Sequence, residues 1–217
     1  MKQVPRKRTG TEITLDLELA SRFIIGPTSP VKGDLPMNSL QIRKLTYAAL
    51  FLALAMVLPF LTGQIPQIGK SLCPMHIPAL LCGFLCGWPW GLAVGLIAPL
   101  LRSVTFGMPA MFPDAVVMAF ELAAYGAVAG ILYRLLPKRL GIGRIYIALA
   151  AAMLAGRIIY GIVYLCISGL GFISTEVTWG FFWAKAFANP FPGIVLQIVL
   201  IPLLVTALEK AGMSLNR

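Results

Sequence analysis

Charge is what this sequence has least of. Of its 217 residues only 12% are Asp, Glu, Lys or Arg, against about 25% in an ordinary soluble domain. Hydrophobic residues make up 59%, so a water-soluble fold would expose more apolar surface than stays dispersed. That excludes a soluble enzyme, a disordered module and a nucleic-acid-binding domain, and predicts an integral membrane protein. Histidine is nearly absent, with His76 alone, and no GxSxG or HExxH pattern accompanies it, which removes the familiar hydrolase and zinc-protease arrangements. No catalytic residue, cofactor or metal site is expected. The four cysteines, Cys73, Cys82, Cys86 and Cys166, form neither a disulfide ladder nor a paired CxxC box and read as small buried thiols. The chain also lacks an inverted internal repeat, which weighs against the alternative of a stand-alone secondary transporter or channel for a small anion.

What is present is a succession of apolar runs. Residues 1–36 differ from the rest: they are polar, mixed in charge and without a long apolar stretch, and they read as a disordered N-terminal extension. The charged start runs into Thr, Glu and Asp rather than an apolar stretch, unlike a secretory signal. From Met37 onward, at about 20 residues per span, the chain predicts an all-α bundle of about six transmembrane helices. They are placed near Gln41 to Leu61, His76 to Gly87, Pro89 to Phe106, Pro113 to Leu136, Ile145 to Leu170 and Pro190 to Leu208. The second is too short to cross unaided. The membrane domain is taken as 37–212, followed by a cytoplasmic tail, 213–217.

The net charge of +10 is read topologically, because basic residues collect on the cytoplasmic side. With both termini inside, fourteen of the 18 basic residues fall in inner segments. Lys70, Arg102 and Lys185 remain outside, and Arg157 lies within a helix.

An ionisable side chain within such a helix is a functional candidate by default. Counting at 1.5 Å per residue from the inner helix ends puts Arg102 at about 18 Å, Arg157 at about 18 Å, Glu121 at about 22 Å and Gln197 at about 18 Å. All four are expected at a similar depth. Asp114, Met118, Glu121 and Tyr125 share one helix face, and Arg157, Tyr160 and Tyr164 another. Glu121 paired with either arginine would lock the bundle. Two arginines against one glutamate would leave a positive surplus for an anionic guest, and Arg suits a carboxylate through its two parallel donors. His76, between Pro74 and Pro78 where regular helix is not expected, is assigned to the outer mouth as a helix cap or a ligand contact. Trp183, Lys185 and Asn189 precede Pro190 on the outer side, as interfacial anchors or as a cover for the cavity. Ala49 and Ala53, four apart on the first helix, allow close approach of another helix.

Three stretches carry a family resemblance: LCPMHIPALLCGFLCGWPWG (Leu72 to Gly91), GLIAPLLRSVTFGMPAMFP (Gly95 to Pro113) and FELAAYGAVAGILY (Phe120 to Tyr133). With the Ala49/Ala53 pair, they make the sequence resemble the substrate-binding S component of an energy-coupling-factor vitamin transporter, over Met37 to Lys210. The resemblance implies a six-helix bundle in the cell membrane that captures a small water-soluble vitamin on the outer side. It implies assembly with an energy-coupling membrane subunit, through Ala49 and Ala53, and with two cytoplasmic ATPases. The chain itself has no GxxxxGK[ST] phosphate loop. A surplus of positive charge beside polar residues makes pantothenate the best-fitting of the family's vitamins, with folate, riboflavin and others as alternatives, and the ligand is expected to be bound by His76, Arg102, Glu121, Tyr125, Arg157, Tyr160, Trp183, Asn189 and Gln197.

Overall fold

The computed structural model describes residues 39–62, 72–170 and 190–216. Regular structure there is entirely helical: α1 (Ser39–Val57), α2 (His76–Cys86), α3 (Trp88–Phe106), α4 (Val116–Leu135), α5 (Gly143–Gly169) and α6 (Phe191–Lys210). Short tight turns of helix cover Leu58–Thr62 and Lys138–Leu140, and a wider turn, interrupted by extended backbone at Phe112, covers Met111–Ala115. Among the described residues five helices are long and apolar enough to span a bilayer, and α2 is the short exception, as expected. The N-terminal extension and the loop residues Lys70, Trp183, Lys185 and Asn189 fall outside the described residues.

The short helix is the centre of the molecule. Its sequence, HIPALLCGFLC, is apolar on every side, and every one of its residues is buried, as a helix without a polar face requires. It packs against α1, α3, α4 and α6, while α4 also packs along α3 and α5. The long helices, by contrast, turn residues such as Leu50, Val104, Leu154 and Val199 outward, where lipid would cover them.

Pro78, expected to oppose helix, lies in the first turn of α2. The physical reason is that first-turn N–H groups have no intrahelical partner, so proline removes nothing there. The break between α2 and α3 is made by Gly87, at φ 99°, a region that favours glycine. Pro89 then opens α3. Because α2 ends inside the bundle, its last carbonyls need protein partners. The chain after α6 supplies them: Leu215 N–H donates to Leu85 O at 2.8 Å, and the Asn216 amide donates to Gly130 O at 3.1 Å and Gly83 O at 3.4 Å.

The three central helices touch backbone to backbone. A Cβ on Gly83 would fall on Gly126 O, one on Gly95 on Leu122 O, and one on Gly126 on Gly91 O. Each neighbour is main chain and cannot rotate away. Gly95→Ala or Gly126→Ala is therefore expected to destabilise the protein by about 3 kcal/mol, the upper part of the overpacking range. Gly143→Ala, which meets nothing within 4 Å, should leave stability unchanged; thermal melting in detergent compares the three.

Candidate functional site

The glycine seam determines which polar side chains meet. With α2 pressed against α4, the His76 ring packs edge-on to Tyr125, centroids 5.1 Å apart at 77°. Its Nε2 lies 3.6 Å from Glu121 Oε1. Across the other side of α4, Gly156 leaves room for the Tyr125 ring, which a Cβ there would meet at 2.7 Å. The next residue, Arg157, donates from a terminal nitrogen to the same Glu121 Oε1 at 2.8 Å. Tyr160 stands one turn further along α5, half-buried and stacked on Tyr164 at 6.0 Å. Gln197, on α6, is buried as well.

The cluster is dry and short of partners. Glu121 is 2% exposed, His76 2% and Arg157 6%. Yet among the described residues both ring nitrogens of His76, the Tyr125 hydroxyl, Arg157 Nε and Gln197 Oε1 have no hydrogen-bond partner. An unsatisfied buried polar atom costs roughly 1–3 kcal/mol, and a packed core carries few of them. Four of these atoms, on His76, Tyr125 and Arg157, gather at one ion pair. A groove of about 380 Å³ between α5 and α6 reaches Arg157, its one charged lining residue, past Met153, Ile194 and Ile198.

The structure corrects the charge arithmetic at Arg102. That side chain is buried, but it donates to Met56 O at 2.7 Å, and its guanidinium lies 5.2 Å from the ring centres of both Phe60 and Phe106. Met56 is one residue from the end of α1, where carbonyls lack intrahelical donors, so Arg102 closes that helix end. Among the described residues the ionic partners of Glu121 are Arg157 and His76, and the positive surplus is not found at this cluster. Equal depth did not mean equal facing. Nor does His76 cap α2: Met75 holds the cap position, without a side-chain cap bond, and His76 is inside the bundle. Trp183 and Asn189 lie outside the described residues.

Sequence reasoning missed Cys73, which adjoins Arg157 from the turn before α2. Burial first, and the Glu121 carboxylate next, push its thiol up to about 12, which keeps it neutral. Its place three residues before His76 was the available signal. Also missed was a lock at the opposite end of the bundle. There Tyr133 donates to Glu209, and Arg144 donates to both, reaching Glu209 Oε1 at 3.2 Å. Ala49 and Ala53 are exposed on α1, whereas Ala48, Phe51 and Ala55 face the bundle.

Comparison with known proteins adds one finding. Residues 43–205 match the family model described as ECF transporter, substrate-specific component. No curated protein and no solved structure matches the chain.

Removing one member of the central pair strands the other. Glu121→Ala is expected to lower stability by about 3–5 kcal/mol, because Arg157 is left as an unpaired buried cation. Arg102→Ala, which loses one charged hydrogen bond, should cost about 2 kcal/mol. Melting curves in detergent would show the order, and equal small shifts would count against the buried ion pair.

Proposed function

Because the chain belongs to the substrate-specific component family of ECF transporters, we propose that it is the high-affinity binding subunit for uptake of a small water-soluble vitamin, with pantothenate as the ligand. The family fixes the coarser part: a multi-pass membrane protein that binds a small substrate, works with an energy-coupling membrane component and ATPases, and is not itself an enzyme. The observation that carries the site is the set of partnerless buried donors and acceptors around the Glu121 and Arg157 pair.

Pantothenate offers one carboxylate and a chain of amide and hydroxyl groups. The carboxylate suits the free Nε edge of Arg157, since a guanidinium can bind two oxygens side by side. Tyr125, His76 and Gln197 supply donors and acceptors for the amide and hydroxyls. Arg102 acts at a distance from this contact, by holding the end of α1.

Coupling is assigned to the lipid-facing side of α1. Ala49 and Ala53 are small and exposed, and small residues four apart allow a second helix to approach closely. Both termini are assigned to the cytoplasm, in keeping with the basic residues Arg134, Lys138, Arg139 and Lys210 near the helix ends. ATP hydrolysis belongs to the partner subunits.

Mass spectrometry of the molecule retained by the purified protein tests the ligand: pantothenate is expected, and another vitamin in its place overturns that identity while leaving the uptake role. Arg157→Ala is expected to weaken a carboxylate ligand by about 2–5 kcal/mol, because a buried charge partner is lost; calorimetry reads this.

The double variant Ala49→Trp with Ala53→Trp is expected to abolish cellular uptake while ligand affinity stays unchanged. Uptake at the parental rate would refute the assigned coupling face.

A further inference from the structure

We infer that the site binds the carboxylate of its ligand together with one proton, and that His76 holds this proton. The inference rests on the carboxylate-vitamin reading above and adds a second ligand to it.

The charge inventory of the cluster leads there. Glu121 contributes one negative charge and Arg157 one positive, 2.8 Å apart. The turn before α2 adds Cys73, a neutral thiol. Tyr125 from α4 and Tyr160 from α5 are neutral phenols, and Gln197 on α6 is an amide. Arg102 of α3 is committed to Met56 of α1. Asp114, half-buried before α4 and close enough to act on Tyr160, is a further charge nearby, and it is acidic. Among the described residues the cluster therefore balances before any guest arrives.

An incoming carboxylate upsets that balance. Two carboxylates would share one guanidinium in a dry site, and neighbouring acids in such a place do not both stay charged without compensation. No second cation among the described residues contacts Glu121. The side chain able to supply the missing charge near neutral pH is histidine, and His76 Nε2 already lies 3.6 Å from Glu121 Oε1. Both its nitrogens lack hydrogen-bond partners among the described residues, and in the imidazolium form both are donors, with Nε2 beside Glu121 and the positive charge shared over the ring. A contraction of about half an ångström converts that separation into a hydrogen bond. Glu121 then has a second cationic partner, and the guanidinium edge of Arg157 is released to the guest. One anion and one proton enter, and the net charge of the buried cluster is unchanged. A neutral guest needs no proton.

Calorimetry on the full-length protein in detergent tests this, with pantothenate and its uncharged amide as probes. Titrations in phosphate and in Tris, which release different heats on giving up a proton, should report uptake of about one proton per pantothenate and none for the amide. The dissociation constant for the acid should rise by up to about tenfold per pH unit across the titration range, the slope that linkage assigns to one proton. The amide should show a flat profile. In His76→Gln, acid binding should lose both the buffer dependence and the slope, whatever affinity remains.

Buffer-independent binding of the acid by the parent protein overturns the inference and leaves the uptake role standing. A slope that persists in His76→Gln overturns the assignment to His76. If that variant does not fold, His76→Asn takes its place, and the acid and amide comparison on the parent protein still decides whether a proton is taken up. If the amide binds as tightly as the acid at every pH, the carboxylate reading fails and this inference with it; if no vitamin is retained or bound, the uptake role itself falls.

Discussion

Backbone contact among α2, α3 and α4 is the constraint on which the rest of the structure depends. Gly83, Gly91, Gly95, Gly126 and Gly130 remove the side chains that would separate these helices. In lipid, association relies on close packing rather than on the exclusion of water, so small residues at the seam set both the stability and the register. That register carries His76 to Glu121 and Tyr125. One seam therefore supports the core and assembles the buried polar cluster.

The second constraint is that lipid leaves no polar group to be satisfied by solvent. The structure meets it differently at each place. Arg102 and the carbonyl near the end of α1 satisfy each other. Leu215 and Asn216 serve the end of α2. Tyr133, Arg144 and Glu209 form a closed set. Among the described residues the cluster around Glu121 and Arg157 meets it least completely, with four side-chain atoms left without hydrogen-bond partners.

These differences bear on motion. α2 is tied on all sides, by the glycine seam and by the returning tail, whereas α5 and α6 share a thin contact and leave a groove between them. Local opening is easiest where buried contacts are few. Arg157 lines that groove while bound to Glu121.

Composition and hydropathy runs by themselves determined the membrane class, the all-helical fold, the five long helices and the one short one, because lipid demands long apolar helices and each span leaves its own signature. Residue counting also gave depth, since a helix rises by a fixed distance per residue, and it brought Glu121 and Arg157 to a common level. It could not give facing. Arg102 was counted to the same level but turns toward α1, and His76 lies inside the bundle rather than at its mouth. Those outcomes depend on how far each helix is rotated about its axis, which is set by contacts between residues distant in sequence, such as Gly83 with Gly126 and Gly156 with Tyr125. Only the tertiary structure decided which of the buried charges are partners.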